Sequence, residues 1–108
     1  MKYQRLKKNA DFQRLFKRGK KAYSKDLTVI YAPCKAKTVM GIALSKKHGK
    51  AVVRNRIKRL IRAAFSNNFE RLCGNFSLVV LPKVRDEYSY AEIEKSLISC
   101  FKTMDGKK

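Results

Sequence analysis

Apolar residues recur along this chain in two periods, and the period changes where Gly, Pro or Asn interrupts it. Between Asn9 and Arg18, Phe12, Leu15 and Phe16 fall at i, i+3 and i+4, which predicts a first helix with one apolar face. Asn9 can cap that helix, Asp11 suits its first turn and Gly19 suits the position just past its end. Asp26 to Ala32 is rich in β-formers and stops at Pro33, predicting a strand. Val39 to Ser45 predicts a second, with Met40, Ile42 and Leu44 on one face and the smaller Gly41, Ala43 and Ser45 on the other. From about Ala51 to Leu72 the period is helical again, through Val53, Ile57, Leu60, Ile61, Ala64 and Phe65, until Gly74 and Asn75 stop it. Phe76 to Leu81 reads as a third strand closed by Pro82. A last helix runs from about Ser89 to Met104, with Tyr90, Ile93, Leu97, Phe101 and Met104 on one side. The order α, two or three strands, α, strand, α predicts an α+β fold, a mixed sheet with helices packed on it.

Composition bounds this picture. At 108 residues the expectation is a single domain over 1–108. The longest apolar stretches, such as Leu78 to Leu81, fall far short of the ~20 residues that a bilayer requires, so no membrane partner is expected. The basic N-terminus lacks the apolar core of a secretory signal. Cys34, Cys73 and Cys100 are widely spaced and odd in number, which suits buried free thiols in a reducing cytoplasm.

Charge changes the picture most. There are 27 Lys and Arg against 8 Asp and Glu, a net charge of +19. Residues 27–69 contain ten basic residues and no acid, and 20 of the 27 cations lie at or before Arg62. The last third, with Asp86, Glu87, Glu92, Glu94 and Asp105, is nearly balanced. A basic face for a polyanion and an ordinary solvated back are implied.

The segment Val52 to Arg62, VVRNRIKRLIR, carries five cations in eleven residues. With Ile57 at zero on a wheel of ~100° per residue, Val53, Leu60, Ile61 and Ala64 form the buried stripe. Asn55, Arg59 and Arg62 fall roughly opposite it, Arg56 lies on one flank, and Arg54 and Lys58 lie on the other, bordering the apolar face. Ordinary surface helices intersperse Glu for i,i+4 pairing, whereas this one has no acid before Glu70. Phosphate binding accounts for that pattern, because arginine forks match phosphate oxygens and each contact releases counterions. Asn55 suits a base edge, a 2′-OH or plain solvent. Phe12, Phe16, Tyr23 and Tyr31 lie among cations, as base-stacking side chains do, although Phe12 and Phe16 equally suit a core. Tyr31 shares a strand face with Leu27 and Val29, and parity alone does not say which face that is.

Motifs for protein-based catalysis are missing. His48, the one histidine, has no metal-ligand partner at suitable spacing, and neither a Ser/His/Asp arrangement nor a phosphate-cradling glycine loop is visible. A DNA-binding helix-turn-helix fits poorly, because a strand and loop precede the basic helix. A basic amphipathic membrane helix fits poorly too, because the apolar face is needed to cover the strands.

The residues Ser45-Lys46-Lys47-x-Gly49-Lys50-Ala51-Val52-Val53-Arg54-Asn55-Arg56-Ile57-Lys58-Arg59-Leu60-Ile61-Arg62 resemble the signature of the bacterial ribonuclease P protein subunit. So do Leu6-Lys7-Lys8-Asn9-x-Asp11-Phe12-x-x-x-Phe16-x-x-Gly19 and the later strand and helix. His48 departs from the pattern, which has an apolar residue there. The resemblance implies a sheet of about four strands with three helices and a left-handed βαβ crossover, in a two-layer α/β sandwich like a ribosomal-protein domain. It implies binding to a catalytic RNA and to precursor tRNA, whose 5′ leader is removed, with Mg²⁺ held mainly by RNA. It assigns Phe12, Phe16, Tyr31, Arg54 and Lys58 to the leader. It assigns Lys46, Lys47, Lys50, Asn55, Arg56, Arg59 and Arg62 to the catalytic RNA. A ribosomal or general RNA-binding protein is the competing expectation.

Overall fold

The computed structural model describes residues 3–6, 8–72 and 74–104. In chain order its elements are β1 (Gln4–Arg5), α1 (Asn9–Arg18), β2 (Lys20–Tyr23), β3 (Leu27–Pro33), β4 (Val39–Ile42), α2 (Ala51–Asn68), β5 (Phe76–Pro82) and α3 (Tyr90–Met104). One-turn 3₁₀ segments at Lys46–His48 and Phe69–Arg71 flank α2.

The strands form one mixed sheet in the order β1-β4-β5-β3-β2, five where about four were expected. β3 pairs antiparallel with β2 and β5, while β4 runs parallel to β5 and to β1. The connection from β4 to its parallel neighbour β5 is α2, so the basic helix is the crossover itself. β5 is central and covered on both faces, which is why Leu78 to Leu81 reads as a continuous apolar run.

Strand parity divides the core in two. Leu27, Val29, Tyr31, Met40, Leu78 and Val80 meet Ile57, Ile61, Ala64 and Phe65 of α2 and Ile93, Leu97, Cys100 and Phe101 of α3. Ile30 and Val79 point to the other face, where they pack with Leu15 of α1, and Phe12, Ala32, Ala43 and Leu81 gather round them. Thus α2 and α3 form the main helical layer, and α1 is a short cover on the opposite face. Leu97, Phe65, Ile61 and Leu27 are wholly buried; each contributes roughly 1.5–3 kcal/mol through removal of its side chain from water.

Several boundaries moved for local reasons. Asn9 is the first helical residue and does not cap; the cap position is Lys8, whose carbonyl takes the amides of Asp11 and Phe12. Gly19 ends α1 with an ordinary extended backbone, so it needs no left-handed conformation. It is glycine because a Cβ there would lie 2.6 Å from Ile30 Cγ2 and 2.7 Å from the Leu15 carbonyl oxygen. α2 ends at Asn68, before the expected Leu72. The buried Asn68 amide donates to the Ala64 carbonyl (2.9 Å) and to Glu94 Oε2 (2.8 Å). The chain then tightens into the Phe69–Arg71 turn and reverses at Gly74, whose φ is 103°. Cys100 is buried, and burial raises its thiol pKa. Cys34 is not buried as expected: it is half exposed in the turn after β3, its thiol donating to the Ala36 carbonyl at 3.3 Å. Cys73 lies outside the described residues.

Candidate nucleic-acid interface

β1 is only two residues long, so it covers only the first part of β4. Beyond Met40 the sheet edge is left to helices that reach it from both faces. α1 arrives from one side with Phe12 and Phe16, and α2 from the other with Arg54 and Lys58. Between them is a cleft of about 520 Å³ lined by Phe12, Phe16, Ile42, Ala43, Leu44, Arg54, Asn55 and Lys58, among others. A second depression of about 310 Å³ shares Phe12, Ile42 and Lys58 with it and continues past Leu6, Gly41, Arg5 and Arg62. The two make one groove along the edge.

Gly41 sets the depth of this groove. The tip of the Phe12 ring lies against it, and a Cβ there would be 2.8 Å from Phe12 Cζ. The Phe12 and Phe16 rings stand side by side, centroids 6.5 Å apart and planes 34° apart. Phe16 is 41% exposed, a large apolar surface to leave in water at the mouth of a cationic cleft. Across from the rings, Lys58 and Arg62 are half-buried, their stems on apolar wall and their charges at the rim. The Arg54 Nε is inaccessible and has no hydrogen-bond partner in the protein, so it remains a donor for an acceptor entering the cleft.

Phe12, Phe16, Arg54 and Lys58 are therefore brought together as expected. Tyr31 is not among them. It is 6% exposed on the face toward α2 and α3, its ring 5.8 Å from that of Phe76, so it is a core residue. Tyr23 sits on β2, the far edge of the sheet. Asn55 and Arg62 stand on the cleft side of α2, not on its outer surface, because wheel positions of roughly 140–160° still belong to the Lys58 side. Arg59 alone of that trio is fully outward, while Arg56 lies on the opposite flank, beside Arg85 and Tyr88. Lys46, Lys47 and Lys50 project from the exposed turn that leads into α2, forming a ridge beside the cleft mouth.

The floor residues Ile42 and Leu44 carried no functional signal of their own; alternation marked them only as apolar. Among the described residues no helix is long and apolar enough to cross a membrane.

A cationic, aromatic-lined groove beside a second cationic surface defines an RNA-binding protein of the α+β class. The sequence profile of the Ribonuclease P family matches residues 1–105, and the chain belongs to that family. A Clostridium kluyveri ribonuclease P protein component is 41% identical over 103 residues, covering 91% of each chain. The solved ribonuclease P protein of Staphylococcus aureus superposes with a TM-score of 0.81 at 33% identity, covering 93% of this chain and 94% of that one. The Thermotoga maritima protein superposes at 0.83 with 26% identity, covering 93% and 96%. This chain is accordingly the protein component of a ribonucleoprotein endoribonuclease acting in tRNA 5′ maturation, with an RNA subunit as its partner.

Proposed function

We propose that the edge groove holds the 5′ leader of precursor tRNA while the outer cations hold the catalytic RNA, in the cytoplasm where tRNA precursors are made. The observation that carries this is the convergence of Phe12, Phe16, Arg54 and Lys58 on one cleft from elements far apart in sequence. Bases stack on the two rings, and phosphates meet Arg54, Lys58 and Arg62. Asn55, at the rim, offers an amide that both donates and accepts, suited to a 2′-OH that DNA lacks. Lys46, Lys47, Lys50, Arg56 and Arg59 face the catalytic RNA. The chain contributes binding and placement, and bond cleavage belongs to the RNA. The Mg²⁺ that this reaction implies sits on RNA phosphates in this reading, since this hard cation takes oxygen ligands.

The test is Phe16→Ala. Loss of one stacked base costs about 1–3 kcal/mol, so affinity for leader-bearing tRNA falls about tenfold while affinity for mature tRNA is unchanged. Equal losses for both would remove Phe16 from the leader site.

A further inference from the structure

The turn that carries Lys46, Lys47 and Lys50 has no buried residue of its own among Lys46–His48. One ring holds it in place. The Ser45 amide donates to His48 Nδ1 at 3.1 Å, so Nδ1 carries a lone pair. His48 Nε2 lies 2.7 Å from the carbonyl oxygen of Pro82, which can only accept, so Nε2 carries the proton. A single neutral tautomer satisfies both bonds, and imidazolium would set an N–H against the Ser45 N–H. Ser45 Oγ completes the cap by accepting from the Lys47 amide. Because Pro82 ends the central strand β5, His48 ties a solvent-exposed cationic turn to the end of that strand across 34 residues of sequence. Gly49, at φ 114°, then redirects the chain into α2.

We propose that His48 is a positioning residue for RNA-subunit binding: its neutral imidazole latches the Lys46–Lys50 turn to the end of β5 and so fixes where those lysines stand. The proposal rests on the reading of this turn as an RNA contact. The segments joined by this latch are mainly cationic: Lys46, Lys47 and Lys50 lie on the turn, Lys83 and Arg85 follow β5, and α2 has no acid. On the β3 side, Pro82 is in register with Leu27, next to Asp26. The Asp26 carboxylate is already taken by the Arg85 guanidinium and the Ser96 hydroxyl from α3.

The experiment uses the full chain and a transcript of its ribonuclease P RNA. Nitrogen-15 spectra of the wild-type histidine near neutral pH show one fixed Nε2–H tautomer; a ring averaging both tautomers overturns the latch without needing any variant. His48→Phe keeps the bulk and loses both bonds, and RNA affinity falls roughly 5- to 10-fold, the worth of one to two hydrogen bonds. His48→Gln, which can accept from Ser45 and donate to Pro82, recovers most of that loss. Lys46→Ala with Lys47→Ala separates the two levels of the claim. Loss there with none in His48→Phe overturns the latch and leaves the RNA face standing. No loss in the lysine variant overturns the RNA face, and the positioning role with it.

Discussion

Single residues set the shape of the groove. Gly41 is the case in point: it lies on β4 beneath Phe12, and the contact distance there leaves no space for a methyl group. Gly41→Ala is expected to lower stability by about 1–3 kcal/mol, since an overpacked site must shift its neighbours. It also lifts the Phe12 ring, so discrimination between leader-bearing and mature tRNA falls; thermal melts and paired affinity measurements check the two effects together. None of this was legible in the sequence, where Gly41 appeared only as the small side of an alternating strand. Tyr31 shows the same gap from the other direction. Its parity with Leu27 and Val29 was legible, but which helix covers that face is decided by the crossover through α2, a long-range fact. Phe12 and Phe16 were placed by helical period and resemblance together, and period alone left them equally suited to a core.

At the scale of elements, the helices were the most legible part and the edge strands the least. α1 has the bounds that its period indicated, and α3 differs by one residue, because Ser89 accepts the Glu92 amide as a cap in place of joining the helix. β1 is Gln-Arg and β2 is Lys-Lys-Ala-Tyr, both mostly polar edge strands, so neither shows the alternation that marks a half-buried strand. The groove exists because β1 is so short, which is why its outline could not be read in advance. α2 has the two working sides that its wheel indicated, but Asn55 and Arg62 stand on the groove side and not with Arg59. Arg56→Ala with Arg59→Ala should weaken RNA-subunit binding and flatten its salt slope by roughly 1–2 units, while leader discrimination is kept. Lys58→Ala with Arg62→Ala should do the converse. Titrations of both ligands over a range of salt concentrations check the pair, and equal effects from both variants would merge the two sides into one.

For the whole molecule, +19 on 108 residues means that the compact state works against its own field. Among the described residues, Asp26, 7% exposed, joins Arg85 in a buried-to-surface ion pair that raises the Arg85 pKa, first through the hydrogen bond and then through charge. Such local pairs leave most cations unmatched, and a bound polyanion relieves the rest. Single-stranded RNA at about 100 times its Kd should therefore raise the unfolding free energy by about 2.7 kcal/mol, read as a higher Tm, with chloride at matched ionic strength giving less. No rise with RNA would disconnect the charge from ligand binding. Net charge and its asymmetry were legible in the sequence, and the helical wheel already set Arg54 and Lys58 toward a groove; that α1 supplies the facing wall was not.

The position of β5 in the sheet has a consequence for how the chain is made. It is the central strand and also the last strand in the sequence, flanked by β4 and β3, which both precede it. Until residues 76–82 leave the ribosome, β1 with β4 and β2 with β3 are separate halves without a shared hydrogen-bonded partner. By then 21 of the 27 basic residues have been synthesised. For most of its translation this polypeptide is thus a coreless polycation emerging from a machine built largely of RNA. Its nearly balanced last third supplies the strand and helix that let it fold away from that surface.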